Sequence, residues 1–462
     1  MKWNLTTTGE IILLVCTAAS WAPASQESAD SLPDPPAPAA TNQTELAAGK
    51  GADGREEKWN WHVQNTDIVQ GDPGFPAKYS GPNSLNSRGE VQDTVSLDLF
   101  LGLRLWRGAE AHVDGLVWQG FGLSKTVGIE AFPNGEAYRL GTQIPNIMPA
   151  RAFIRQTIDL GGEEETVEDD QLQLAGKKDV SRLTLTLGEL SVLDILDNNT
   201  YAHDPRTQFM NWALVGNEAW DYPADSVGYE TGFAAELNQP HWALRYGFFQ
   251  VPRVSNGMAQ DAHYLEAWGM VTEVERRWAI KTHPGAIRFL AYLNQAHMGS
   301  YEEALSAPGT DIALTRAYRQ KYGFAVNWEQ EITTNIGVFS RLGWSDGRTE
   351  SWAYADVDRT GSLGVSVKGA IWNRPNDTVG LAGVINGISR VHQEFLAAGG
   401  TGILAGDGAL NYGLEKTLET YYDVGIWKSV HAALDYQFVI DPAYNRDRGP
   451  VSVFGARLHW EF

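Results

Sequence analysis

The chain is nearly without cysteine. Its single thiol, Cys16, lies within the first twenty of 462 residues. That excludes a disulfide framework, so stability has to come from backbone pairing and packing. No stretch reaches about 18 consecutive apolar residues, which excludes a membrane-spanning helix. Positive charge is also scarce: 36 Lys and Arg face 57 Asp and Glu, a formal net charge of −21. No basic stripe is present to offset phosphate repulsion, so no nucleic-acid partner is expected. The ten histidines are scattered without paired ligand spacing, so no metal is expected. GTGILA (400–405) has a dinucleotide-like glycine spacing but lacks the strand–turn–helix setting, so no cofactor is expected either.

The N-terminus reads as a targeting segment. Lys2 precedes the short apolar run IILLVCTAAS (11–20), and Ala22-Pro23-Ala24 follows with small residues suited to cleavage. Residues 1–24 are therefore assigned as a signal peptide. Val15 stands before Cys16 where a lipid-anchor signal wants a small residue. Residues 25–58 are rich in Ala, Pro, Ser, Asp and Glu and read as a disordered spacer. The folded domain is expected over 59–462.

What the chain does have is glycine, tryptophan and a period of two. In VSLDLFLGLRL, Val95, Leu97, Leu99, Leu101, Leu103 and Leu105 share one face. Ser96, Asp98, Gly102 and Arg104 share the other, with Phe100 an aromatic exception. The last strand alternates likewise, Phe454, Ala456, Leu458, Trp460 and Phe462 against Gly455, Arg457, His459 and Glu461. Side chains of a strand point to opposite faces, so each segment has an apolar and a polar side. Very short connections alternate with long polar ones. Strand starts are expected near 59, 92, 109, 151, 181, 227, 241, 262, 285, 316, 332, 361, 378, 414, 430 and 450, about 16 strands, with 18 as the other even count. One acidic connection, 161–180, is long where parity calls for a short turn.

Tryptophan marks a height. Trp106, Trp242, Trp278, Trp328, Trp372 and Trp427 each adjoin a short turn, and Trp59, Trp61 and Trp460 sit at the ends of the folded region. An indole prefers a membrane interface, with its ring in an apolar layer and its N–H at a polar partner. The expected fold is all-β: a transmembrane, antiparallel, up-and-down barrel in outer-membrane lipid, with long external loops, some folded inward as a constriction. Whether it acts alone or as a homo-oligomer is open from sequence.

The longest loop, GELSVLDILDNNTYAHDPRTQFMNWALVGNEAWDYPADSVGY (188–229), is the candidate constriction. Its candidate residues are Asp194, Asp197, Asn198, Asn199, Tyr201, Asp204, Arg206, Trp212, Asp221 and Tyr222. Aromatic rings turned inward can stack on the C–H faces of sugars while Asp, Asn and Arg bond hydroxyls. The competing reading is that these rings pack the loop against the wall. Parity places Arg104, Arg182, Arg245, Arg341, Asp423, Asp435 and Arg457 on the lumen wall, where arginines opposite an acidic loop set up a transverse field.

These stretches resemble a known family, the carbohydrate-selective porins of OprB type. The resemblance rests on GFPAKYSGPNSL (74–85), the long run 161–214, EAWDYPADSVGYETG (218–232), FLAAGGTGILAGDG (395–408) and the final strand pair. It implies a 16-stranded porin that passes mono- and small oligosaccharides by passive diffusion through a channel narrowed by inward loops. It makes 161–180 a usual family segment and adds Tyr79 and Asn83 to the constriction. An aromatic C-terminus, Phe462, also resembles the signal read by outer-membrane barrel assembly machinery. The alternatives are a general diffusion porin, a glycan-hydrolysing barrel using Asp194 and Asp197 as a carboxylate pair, and a plugged adhesion barrel.

Overall fold

A computed structural model describes residues 56–139 and 141–462. The expected signal peptide and nearly all of the spacer lie outside the described residues. The spacer's last residues, 56–58, are ordered: Glu57 N donates to Ala175 O (3.0 Å) and Lys58 O accepts from Arg104 N (2.8 Å).

The strands, in chain order, are β1 (Trp59–Asp72), β2 (Glu90–Trp106), β3 (Ala109–Gly120), β4 (Thr142–Asp159), β5 (Glu164–Val167) and β6 (Gly176–Asp179). There follow β7 (Arg182–Leu190), β8 (Glu230–Gln239), β9 (Trp242–Phe249), β10 (Trp268–Ile280), β11 (His283–Met298) and β12 (Ala317–Thr333). The last six are β13 (Ile336–Ser345), β14 (Arg359–Lys368), β15 (Thr378–Gly387), β16 (Glu415–Trp427), β17 (Val430–Ile440) and β18 (Val451–Glu461). All except β5 and β6 form one closed barrel of antiparallel neighbours, so the barrel has 16 strands. β1 and β18 close it, in register from Gln64↔Glu461 to Gly71↔Phe454. Val63 and Phe462 exchange backbone hydrogen bonds of 3.0 and 2.9 Å beyond that register, so the last residue belongs to the seam.

Alternation is kept around the wall. Leu99, Leu101, Leu103, Phe454 and Leu458 are exposed on the outside, and Asp98, Arg457 and His459 are buried inside. Phe100 also faces inward and is buried. The tryptophans gather beside the short turns. Trp59, Trp61, Trp106, Trp242 and Trp427 are exposed. Trp106 Nε1 donates to Gln156 (2.8 Å) and Trp278 Nε1 to Gln330 (2.8 Å), so the rings lie in the outer layer with their N–H groups paired.

Most strand starts fall within three residues of those expected, and three lie further off. β10 begins at 268 rather than 262, and β13 at 336 rather than 332. The largest shift is β4, which starts at 142 rather than 151 because Pro145 and Pro149 mask it. Over that stretch β4 pairs with β3 alone, and pairing with β7 begins only at Ala152↔Glu189. The prolines sit where no second neighbour asks for an N–H.

The segment 161–180 forms its own hairpin of β5 and β6, separate from the barrel sheet. Gly161 and Gly162, at φ 89° and 110°, turn the chain out of β4. β4 still meets β7 directly, from Asp159↔Arg182 onward. Replacing residues 163–178 by a short turn should therefore leave the barrel intact. Retention of heat-modifiable migration on a detergent gel checks this, and its loss would make the hairpin part of the barrel's folding unit.

Candidate functional site in the barrel lumen

The interior is filled from the long-loop end. One apolar cluster joins Phe132 of loop 121–141, Val192, Leu196, Trp220 and Tyr222 of loop 191–229, Ala353 and Tyr354 of loop 346–358, and Leu404 of loop 388–414. Phe153, Phe249, Val271, Leu290 and Tyr292 from the wall complete it. Four loops thus share one packing centre with the strands.

Ion pairs decide where the longest loop sits. Asp194 is gripped bidentately by Arg151 of β4, at 2.8 Å from both Nε and Nη2, while Arg151 Nη1 reaches Asp114 at 2.7 Å. Asp197 meets Arg341 Nε at 3.1 and 3.2 Å and accepts from Asn327 Nδ2 at 2.7 Å. Arg341 Nη1 also donates to Leu214 O (2.7 Å). Arg457 binds the carbonyls of Pro205 (2.8 Å) and Gln208 (2.7 Å), and Lys321 meets Asp221 at 3.0 Å. Wall carboxylates hold loop amides in turn: Glu273 accepts from Asp197 N (2.8 Å), Glu329 from Thr200 N (2.6 Å), and Glu419 from Met210 N (2.6 Å) and Asn211 N (3.1 Å). Bidentate, charge-assisted bonds of this kind fix orientation as well as energy.

The expected site residues fall into distinct places. Asp194, Asp197, Asn199 and Asp221 face the wall, with Asn199 Nδ2 donating to Asn327 (2.7 Å). Asn198 offers its carbonyl to Asn327 (3.0 Å) and its side chain is half-buried. Tyr222 is buried, its ring 5.2 Å from that of Tyr354. Trp212 is half-buried and stacks on Phe132 at 5.5 Å and 13°. Tyr201 is half-buried over Gly337, where a Cβ would collide with the ring. Asp204 caps the turn by accepting from Arg206 N (2.8 Å). Arg206 crosses to Glu136 (3.0 Å) and to Asp98 of β2 (3.6 Å). Tyr79 and Asn83 lie elsewhere. Tyr79 Oη donates to Ala409 O (3.0 Å), and Asn83 Nδ2 donates to Gly402 O (3.0 Å) and Ala405 O (2.9 Å), fastening the first long loop to 402–409.

The wall charges turn inward and are largely paired. Arg245 contacts Glu236, Glu273 and Glu275 at 2.5, 2.7 and 3.0 Å. Asp423 bridges His431 (2.5 Å) and Arg457 (3.1 Å), Asp435 accepts from Gln437 (2.9 Å), and Arg182 meets Glu165 of β5 at 2.5 Å. Arg104 meets Glu110 at 3.4 Å. Arg341 and Arg457 therefore do not stand across the channel from the acidic loop, as a transverse field requires; they touch it. Sequence reasoning missed Arg151, Glu273, Glu329 and Glu419. Arg151, Phe153 and Arg155 do alternate with Ala152 and Ile154, a signal hidden by the adjacent prolines.

A carboxylate pair for hydrolysis does not assemble from Asp194 and Asp197. Burial works to raise the Asp194 carboxyl, but the Arg151 guanidinium prevails and holds it below the usual range, so it is no proton donor near neutrality. GWSDG (343–347) has the Gly-x-Ser-x-Gly spacing of a nucleophile elbow. It lies where β13 runs into a loop, and Ser345 Oγ bonds Asp358 (3.2 Å) rather than the nearby His392, with all three buried.

Residues 83–462 match the family described as carbohydrate-selective porin, OprB family. The chain belongs to that family. Its fold is also that of the high-pH structure of Pseudomonas putida OprB, at a TM-score of 0.67 and 16% identity over 88% of this chain and 94% of that one. Among curated proteins it is similar to Porin AaxA of Chlamydia abortus, 23% identical over 283 residues, and to Porin AaxA of Chlamydia caviae, 23% over 278. Those matches take in 60% of this chain, and the chain spans about half the length of these relatives (54% and 53%). A closed barrel of a porin family places the chain in the outer membrane.

Two predictions concern the ties between loop and wall. Arg341→Ala strands a buried carboxylate, which costs about 3–5 kcal/mol. The loop should loosen and single-channel conductance should rise, whereas native conductance would mean the remaining ties suffice. The second concerns pH. Burial, with Asp356 and Glu415 beside it, pushes the Glu130 carboxyl well above its ordinary value, and burial with Glu415 does the same to Glu218. Groups raised in the folded state stabilise fully below their ordinary pKa and lose that contribution as pH rises through the raised one. Asp194, being depressed, loses its contribution only in acid. Amide exchange at 125–139 and 212–222 should therefore be better protected at about pH 5 than at about pH 9, after correction for intrinsic rates. Equal protection would remove the two glutamates from loop seating.

Proposed function

We propose that the protein is a substrate-selective porin for passive diffusion of mono- and small oligosaccharides across the outer membrane. The observation that carries this reading is the seating of loop 191–229 inside a barrel of the carbohydrate-selective porin family. Ion pairs from Arg151 and Arg341 hold the loop on the wall side, and Tyr201, Asp204, Arg206 and Trp212 remain half-buried on it. A half-buried indole stacked on Phe132 offers an apolar face for a pyranose ring, and Arg206 with Asp204 offers donors and acceptors for hydroxyls.

The remaining assignments follow from that role. Residues 1–24 export the chain and are removed, and 25–58 lead into the barrel. Phe462, an aromatic end within the β1–β18 seam, is read by the barrel assembly machinery. Movement of solute requires no catalytic group.

The test is single-channel recording in planar bilayers with added glucose and maltose. Concentration-dependent interruption of the current is expected, and Trp212→Ala should weaken it about tenfold, the loss of about 1.4 kcal/mol of stacking and burial. A steady current that no sugar perturbs would leave a general diffusion pore.

A further inference from the structure

The hairpin of β5 and β6 does more than hang below the barrel. It turns back under the short-turn mouth and is sewn there. Arg155 Nη1 of β4 donates to Leu172 O (2.7 Å), and Arg104 Nη2 of β2 donates to Ala175 O (3.1 Å). Asn60 Nδ2 of β1 donates to Asp169 (2.6 Å) and to Gln173 O (2.9 Å). The hairpin has two faces. Glu163, Glu164, Glu168 and Lys177 are exposed, while Glu165 and Lys178, a cross-strand pair, are half-buried.

Charge does not balance around one wall carboxylate, Glu110. Glu110 of β3, buried at 2% exposure, is the one carboxylate shared by Arg104 (3.4 Å) and Lys178 (3.6 Å), with His112 also on it at 3.3 Å. Arg155 lies in the field of the same carboxylate and, among the described residues, has no carboxylate at ion-pair distance. Among the described residues its guanidinium meets the Leu172 carbonyl and the Phe153 ring, 5.1 Å away. Arg182 close by is matched by Glu165, and Glu57 turns its carboxylate to the Ala175 amide (3.1 Å). Three cations therefore share one anion. The anion is hidden, whereas Arg104, Arg155 and Lys178 stay partly open. Burial first, with Arg155, Arg182 and Arg104 after it, draws the Lys178 ammonium below its ordinary value against the pull of Glu110.

We propose that Arg104, Arg155 and Lys178 form an anion site at the periplasmic end of the lumen, which takes the carboxylate of an acidic monosaccharide. A carboxylate completes the charge balance that Glu110 leaves open, and a guanidinium with free N–H groups suits it. That the carboxylate is carried on a sugar rests on the porin reading above; the site itself does not.

The experiment compares glucose, glucuronate and inorganic phosphate as blockers of the native channel in planar bilayers. Glucuronate should interrupt the current at about tenfold lower concentration than glucose. Lys178→Gln and Arg155→Gln should each erase that preference and leave block by glucose unchanged. Both variants are first checked for heat-modifiable migration, and Lys178 lies outside the barrel sheet. If glucose blocks and glucuronate blocks no better, or if the preference survives both substitutions, the anion site is overturned while the sugar reading stands. If neither sugar blocks, but phosphate does and Lys178→Gln abolishes it, the anion site stands and the sugar reading falls.

Discussion

A backbone amide in a bilayer has no water to bond, so every strand in the wall needs two neighbours and the sheet needs an end that meets its beginning. The seam of β1 with β18 satisfies that demand, down to the backbone bonds between Val63 and Phe462. Once the sheet is closed, the period of two acquires a meaning it lacks in an open sheet: one face is lipid and the other is lumen. Closure at 16 strands also makes a cylinder too wide for wall side chains to fill. Chain must come in from one end, and the polar inward face supplies what holds it.

What holds it is mostly charge. A buried ion pair such as Arg341–Asp197 gains little over an apolar pair of the same shape, because both ions lose their water. It does gain selectivity among arrangements. An apolar loop can slide along an apolar wall at small cost, but a loop whose Asp194 and Asp197 each need one particular guanidinium has one seat. The wall glutamates that accept from loop amides act in the same way, since a loop buried in a barrel brings unpaired N–H groups with it. The aromatic cluster of Phe132, Trp212, Tyr222 and Tyr354 then fills the space that those polar ties define.

Much of this was legible in the sequence, and the remainder failed for reasons that can be named. The wall reads well because alternation is local: Leu99, Leu101 and Leu103 announce the lipid face without knowledge of any neighbour. Tryptophan beside the turns is equally local. The upper part of β4 was hidden because Pro145 and Pro149 argue against a strand, and only tertiary context shows that one of its edges is free there. Among the candidate residues, the loop itself was legible from its length and aromatics. Which side of it each residue faces was not. Arg341 and Asp197 lie 144 positions apart, and nothing near either residue names the other. The acids singled out for hydroxyls, Asp194, Asp197 and Asp221, proved to be those the wall had claimed.

The hairpin of β5 and β6 shows how separate register and charge can be. Because β4 meets β7 from Asp159↔Arg182 as if joined by a short turn, residues between them are free of the barrel's hydrogen-bond pattern. Such residues can vary without shifting a single wall side chain from lumen to lipid. This hairpin exposes Glu163, Glu164 and Glu168 and turns Lys178 to Glu110 of the wall, in a chain whose net charge is −21. Net charge therefore says nothing about what a solute meets inside. A field within a narrow, low-dielectric passage is set by the few groups that line it and by which of them are already paired. By that measure Arg104, Arg155 and Lys178 around the single carboxylate of Glu110 make a locally positive spot, although the protein as a whole is strongly negative.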